Sequence, residues 1–177
     1  MKYAISLVAL CLLPACMGGG SDGPSAPTTQ LNTDFGTLLN GARMSNGAGE
    51  VDFDIRVANA ADFHARDMVR DGYFGHDDVI DPLADCGDPC DAGERLLDQG
   101  YTWKVFYEGI GRGNNLTLQQ LLDAWEAGGA GADFSVDNDN GASNNINLAD
   151  FEHFGIAKAG PDNNQRWVLL LADPTDP

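Results

Sequence analysis

The stretch DIRVANAADFHARDMVRDG, Asp54 to Gly72, does most to set the fold of this chain. Its apolar residues recur at helical spacing: Ile55, Ala58, Ala61, Ala65 and Met68. This spacing gathers them on one side of a helix, where they can pack against a core. Asp54 can cap the first turn of that helix, and Gly72 can end it. The stretch therefore predicts an amphipathic helix.

Three further helices are predicted around this one. Thr33-Asp34 can cap a first helix that ends near Ser45-Asn46-Gly47. A short helix is predicted from Ala92 to Gln99, and Gly100 closes it. Thr117 can cap a last helix, LQQLLDAWEA, whose apolar residues form one stripe that is expected to face the core.

The strands are predicted later in the chain. Val105-Phe106-Tyr107 is a short apolar segment. Phe154 to Ala159 and Trp167 to Ala172 are apolar runs joined by Pro161-Asp162-Asn163-Asn164, which is typical of a hairpin turn. Between them, Gly128 to Asn147 is polar and rich in glycine, which indicates a loop. Helices first and a hairpin last predict an α+β domain with an antiparallel sheet.

Composition excludes several classes of protein. The chain has 177 residues with 10 Lys and Arg against 27 Asp and Glu, a net charge of −17. Hydrophobic residues make up 43%, enough to bury a core, so the chain is not a disordered acidic tail. Binding to nucleic acid is excluded because Lys and Arg must replace the phosphate counterions. Anionic lipid headgroups would also repel the chain, although a covalent lipid could override that repulsion.

The amino terminus predicts export. Lys2 precedes the apolar run Ala4 to Leu13, which is too short to span a bilayer. Leu13-Pro14-Ala15-Cys16 resembles the bacterial lipobox, which implies a signal peptide over residues 1–15 and lipidation of Cys16. The alternative is an ordinary secretory signal cut near Ala15. Residues 16–31 are predicted as a Gly/Ser/Pro-rich tether and residues 32–174 as the folded domain.

Two short motifs each leave two interpretations. Cys86 and Cys90 stand four apart in CGDPC and can close a small loop as a disulfide in an oxidising compartment. The alternative is zinc, but the segment offers no second Cys pair. The acidic run DNDNG, Asp137 to Gly141, suggests calcium. Its residues do not fall on EF-hand positions and no Glu follows at the required distance, so a solvated loop is predicted instead.

Several segments in order resemble one known family. They are LLNGARMSNGAGEVDFDIRVANAADFHARDM, GYFGH, ERLLDQGY, YEGIGRG, LLDAW and DFEHFGIAKAG. Together they resemble the bacterial branch of the CAP superfamily, also called SCP-like proteins, over about Phe35 to Ala172. Asn40 and Arg43 match the opening N-x-x-R, and His64 lies in the matching H-A-x-D-M helix. The resemblance implies an α-β-α sandwich with a small antiparallel sheet flanked by helices.

The resemblance also implies a cleft with two His and, in many members, two acidic residues that can hold a divalent metal. His76 and Glu108 match one His and one Glu of that cleft. The second His position falls near Ala142 and the second acidic position on Gly128, so the set is incomplete. A metal such as zinc would need further ligands from the acidic loop, His64 or His153. The alternative is structural, with His76 bonded to a loop and Glu108 accepting backbone N–H groups.

Three functions remain open at this point. The resemblance favours an exported cell-envelope protein that binds a lipid, a cell-wall component or a protein partner without catalysis. A metal-dependent hydrolase would use a metal-bound water beside His76, with Glu108 as general base. A structural surface lipoprotein would keep only a vestigial cleft. The exposure of His76 and Glu108 distinguishes these three functions. A buried pair favours the structural role, and an open groove around the pair favours the binding module or the hydrolase.

Overall fold

The computed structural model describes residues 29–77, 91–127, 134–139, 146 and 151–175. The helices are α1 (Thr29–Ser45), α2 (Ile55–Arg70), α3 (Ala92–Asp98) and α4 (Leu118–Ala127). The strands are β1 (Asp52–Phe53), β2 (Trp103–Gly113), β3 (Phe134–Asp139), β4 (His153–Ala159) and β5 (Gln165–Pro174). The strands form one sheet in the order β1-β4-β5-β2-β3.

Strand β5 lies at the centre of the sheet and separates two hydrophobic cores. Its side chains alternate between the two faces, as the pleat of a strand requires. Trp167, Leu169 and Leu171 pack into one core, which also contains residues of α1 and α4. Val168, Leu170 and Ala172 pack into the other, which contains residues of α2 and α3. The predicted α+β class and the α-β-α sandwich are therefore confirmed.

Single residues in the sequence predicted most of the helix ends correctly. Asp54 caps α2 and accepts a hydrogen bond from the backbone N–H of Arg56 at 2.7 Å. Gly72 and Gly100 have φ angles of +73° and +72°, the left-handed conformation that glycine adopts most readily at helix ends. Thr117 accepts from the backbone N–H of Gln120 at 3.2 Å, as its predicted capping role requires.

The predicted start of the first helix is wrong. Helix α1 begins at Thr29, so residues 29–31 of the predicted tether are helical. Asp34 does not cap the helix but accepts a hydrogen bond from the side chain of Gln30 at 2.7 Å, one turn earlier. This pair extends the helix by a turn beyond the expected cap.

Two predictions about strands are also corrected. The sheet is mixed rather than antiparallel, because β1 runs parallel to β4 while the other neighbours are antiparallel. Strand β1 has only two residues, too few for an alternating pattern to be visible in the sequence. Residues 134–139 form β3 and pair with β2, so the predicted loop is wrong there, including the part of DNDNG that lies in this strand. Pairing along a whole strand edge overrides the polar composition of this segment.

Two asparagines fasten α1 to the edge of the sheet. Asn32 donates to the carbonyl of Ile156 at 3.2 Å and accepts from its N–H at 2.9 Å. Asn40 bonds Val51 in the same reciprocal way, at 3.0 and 2.9 Å. Each side-chain carboxamide therefore makes the two backbone hydrogen bonds that a residue of a neighbouring strand would make. These bonds hold α1 beside β1 and β4.

Most of the predictions about the amino terminus and the cysteines lie outside the described residues. This applies to the signal peptide, to most of the tether, and to Cys16, Cys86 and Cys90. Within the described part of the chain, no helix combines the length and the apolar character needed to cross a membrane.

Candidate functional site

Glu108 is the centre of a buried cluster of charged side chains. It lies in β2 on the face that packs against α2, and it is 1% exposed. Its Oε1 lies 2.8 Å from His76 Nδ1, and its Oε2 accepts a hydrogen bond from Arg95 Nη2 at 2.5 Å. His64 Nε2 lies 3.9 Å from Oε1. The carboxylate is thus surrounded by one guanidinium and two imidazoles.

Three separate segments bring these groups together. His64 is on α2, His76 lies in the loop that follows α2, and Arg95 is on α3. Arg95 also donates from Nη1 and Nη2 to the backbone carbonyl of His76, both at 3.2 Å. Arg95 is 2% exposed, so these hydrogen bonds lie in the interior of the protein. They hold the His76 loop against Glu108.

A second group of polar residues orients His64. Its Nε2 lies 2.9 Å from the carbonyl of Gly75, which can only accept, so Nε2 carries the proton. Tyr73 donates its hydroxyl to Asp67 at 2.5 Å and lies 3.4 Å from His64 Nδ1. His64, named from the sequence as a possible further metal ligand, is fully buried.

The surrounding charges keep Glu108 ionised. Burial by itself would raise the pKa of this carboxyl group. The positive charge of Arg95, followed by the charge of His64 and the hydrogen bond from His76, more than offsets burial and lowers the pKa of Glu108 to about 2. The residue is therefore an anion at physiological pH, and both of its oxygens are engaged.

An open groove lies on a different part of the surface, between α1 and β1. Its volume is about 500 Å³. One wall is a face of α1 that runs from Asn32 to Met44, and the other is the segment Glu50 to Phe53, with Phe154 between them. The sequence did not reveal this groove, because its two walls are separate elements whose contact depends on the fold.

A match to a family model covers most of the chain. The model, described as CAP, the cysteine-rich secretory protein family, matches residues 37–171. This chain belongs to the CAP family. No curated protein matches it.

Two solved structures share this CAP fold. An outer surface protein from Borrelia burgdorferi superposes with a TM-score of 0.63 at 12% identity, covering 84% of this chain and 96% of that one. An extracellular protein containing an SCP domain from Bacillus anthracis superposes with a TM-score of 0.57 at 20% identity, covering 80% of this chain. The match spans 39% of the second protein's own length. At these identities the likeness shows the fold alone.

Two of the positions that the family resemblance assigned to a cleft lie together in the structure. His76 and Glu108 are in contact, while Gly128 and Ala142 lie outside the described residues. His153 is on β4, where its Nδ1 lies 2.9 Å from the hydroxyl of Tyr101. Among the described residues, no group of three or more His, Cys, Asp and Glu side chains could hold a metal ion.

A metal ion at His76 and Glu108 would need most of its ligands from other groups. Glu108 uses one oxygen for His76 and the other for Arg95, so each carboxylate oxygen already has a partner within the protein. A carboxylate that accepts a hydrogen bond from a histidine usually supports a ligand from behind rather than coordinating the metal. The described residues alone therefore do not fit a zinc centre, and a metal at His76 and Glu108 stays a prediction.

The low pKa of Glu108 predicts a specific acid sensitivity. A carboxyl group whose pKa is lower in the folded than in the unfolded protein contributes stability above the unfolded value, and loses it as pH falls. A fall from the ordinary 4.5 to about 2 corresponds to roughly 3 kcal/mol. At pH 5 we expect the wild type to have a higher free energy of unfolding than Glu108→Gln. This difference should fall by about that amount when the pH is lowered to 2. Urea unfolding at stepped pH measures it.

The exposed Asp98→Asn variant is the matched control for this experiment. This variant removes a carboxylate from the surface of α3 instead of the buried one, so it separates the effect of the buried group from the loss of one negative charge. A wild-type advantage over Glu108→Gln that is constant from pH 5 to pH 2 would contradict the assignment of Glu108 as a buried anion.

Proposed function

We propose that this chain is an exported, lipid-anchored CAP protein of the bacterial cell envelope that acts as a non-catalytic binding module. Its ligand would be a hydrophobic molecule, a cell-wall component or a protein partner. His76 and Glu108, the two residues that match the CAP cleft, would stabilise the fold rather than react with a ligand.

The state of Glu108 carries this proposal. A general base works best when its pKa lies near the operating pH, and a carboxyl group with a pKa of about 2 is a weak base at neutral pH. Glu108 is also 1% exposed and bonded through both oxygens, which leaves little room for a substrate or an activated water. These observations argue against a metal-dependent hydrolase at this site, and a binding function would use another surface, such as the open groove between α1 and β1.

Export and lipidation rest on other observations. The apolar run Ala4 to Leu13 and the lipobox-like Leu13-Pro14-Ala15-Cys16 support a lipidated mature protein that begins at Cys16. The two structural neighbours are named as an outer surface protein and an extracellular protein, which agrees with an exported location. A structural surface lipoprotein is the second candidate, since the side chains of Glu108 and His76 are only 1% and 12% exposed, which also suits that role.

One experiment tests these proposals together. The protein is purified from the envelope of its native host and analysed by native mass spectrometry and elemental analysis. His76→Ala is compared with the wild type, and His153→Ala is the matched control on β4. We expect a mass that includes lipid at Cys16, a bound organic or protein partner in all three proteins, and metal at background level.

Each contrary result points to a different function. A stoichiometric metal that is lost in His76→Ala but kept in His153→Ala would favour the hydrolase and overturn the proposal. A protein without metal, ligand or partner would favour the structural lipoprotein. A mature chain that lacks lipid mass at Cys16 would overturn the membrane anchor.

A further inference from the structure

The groove between α1 and β1 carries two exposed apolar side chains among mostly polar lining residues. Met44 and Phe53 are 56% and 41% exposed, although both are large hydrophobic residues. Phe154 lies between the two walls and meets the ring of Phe53 edge-on at 6.1 Å. Gly41, on the α1 wall, has no atom within 4 Å of the place where a Cβ would lie, so the groove stays open there. An apolar side chain from another molecule would fit these surfaces.

The rim of the same groove is negative. Glu50 and Asp52 line it from the β1 side, and no Lys or Arg is among the described lining residues. Both carboxylates belong to exposed residues. An occupant with a basic group beside an apolar one would match this surface, whereas an anionic lipid would be repelled by the rim and by the net charge of −17.

The rest of this chain cannot supply that basic group. The segments outside the described residues contain Lys2 as their only Lys or Arg, and Lys2 belongs to the predicted signal peptide. A second copy carries the same large negative charge, which opposes self-association. A different molecule is therefore the better source of the complementary charge.

The shape of the groove favours an extended peptide. The α1 wall runs from Asn32 to Met44, which is about 18 Å at the rise of a helix. Five or six residues of an extended chain cover roughly that length. Strand β1 is also at the end of the sheet, with β4 as its only neighbour in the strand order of the described residues. An edge strand beside a groove is a common place for a peptide to bind.

We propose that the groove between α1 and β1 binds an extended segment of a partner protein in which basic residues alternate with large apolar ones. The apolar side chains contact Met44 and Phe53, beneath which Phe154 is buried, and the basic side chains pair with Glu50 and Asp52 at the rim. This inference rests on the proposed binding function and assigns it a surface and a class of partner.

The probe is the hexapeptide SKFKFS, labelled with a neutral dye and titrated with the purified protein by fluorescence anisotropy. The peptides SEFEFS and SKSKSS test the basic and the apolar requirement. Gly41→Leu fills the groove, and the double variant Glu50→Gln/Asp52→Asn neutralises its rim. Asp98→Asn removes an exposed carboxylate elsewhere and is the matched control.

We expect SKFKFS to bind the wild type and Asp98→Asn equally, and to bind both groove variants roughly tenfold more weakly or worse, since close charge pairs and a filled pocket control dissociation. Gly41→Leu should keep or raise the melting temperature, because leucine forms helix better than glycine, so weaker binding would not reflect unfolding. Equal binding of SEFEFS, or undiminished binding to Gly41→Leu, would overturn the inference. If SKFKFS does not bind while the host protein still carries a partner, this inference fails and the proposed function stands.

Discussion

The Arg95→Met variant is expected to lose about 3–5 kcal/mol of unfolding free energy at pH 7, the cost typical of removing one partner from a buried ion pair. Arg95 and Glu108 are both about 1% exposed at the side chain, and their closest N–O distance is 2.5 Å. Without the guanidinium, Glu108 keeps its charge in a site shielded from water, and the clamp on the His76 carbonyl is also lost. Urea unfolding followed by circular dichroism measures the loss.

Two comparisons make the Arg95 result specific. Arg56→Met removes a 46% exposed cation from its pair with Asp54 and should cost no more than about 1 kcal/mol. The double variant Arg95→Met/Glu108→Gln removes the unpaired charge and should recover part of the stability lost in Arg95→Met alone. If Arg95→Met costs as little as Arg56→Met, the cluster does not hold the fold and the structural role of Glu108 is wrong.

Much of the fold could be predicted because its signals are local. Asp54, Gly72, Gly100 and Thr117 mark helix ends through their own backbone or side-chain chemistry, and each was placed correctly. Strand β3 was missed because its sequence, FSVDND, is half acidic or amide and its pairing with β2 comes from distant residues. Strand β1 was missed because a strand of two residues is too short to show the alternation of polar and apolar residues that predicts a strand.

The candidate site was predictable only in part. The family resemblance paired His76 with Glu108, and the structure places them 2.8 Å apart, while the role of the pair remains a prediction. The pairing of Arg95 with Glu108 could not be predicted, because α3 and β2 meet through tertiary packing. The support of His64 by Tyr73 and Asp67 was missed, although both residues lie close to it in sequence. An aspartate on a helix is usually expected to be solvated, and only the structure shows that Asp67 is buried.

A close approach between α2 and the sheet predicts the second large effect, in Gly155→Ala. Gly155 lies in β4 against the first turn of α2, and an added Cβ would lie 2.2 Å from the nitrogen and 2.4 Å from the Cα of Ala58. These are backbone atoms, which cannot rotate away as a side chain can, so α2 would have to shift from the sheet. Overpacking commonly costs about 1–3 kcal/mol, and here we expect about 3 kcal/mol or more because the obstacle is backbone.

The displacement of α2 should also reach the charged cluster, since His64 is on the same helix as Ala58. Gly49→Ala is the control, because an added Cβ there meets nothing within 4 Å and its unfolding free energy should change by less than about 0.5 kcal/mol. Urea unfolding compares the two alanine variants, and the chemical shifts of the His64 ring, recorded by NMR, report whether α2 has moved. A Gly155→Ala protein as stable as Gly49→Ala, with the His64 shifts unchanged, would mean that α2 and β4 are not packed backbone to backbone. In that case the glycine at position 155 would have no steric role in bringing α2 onto the sheet.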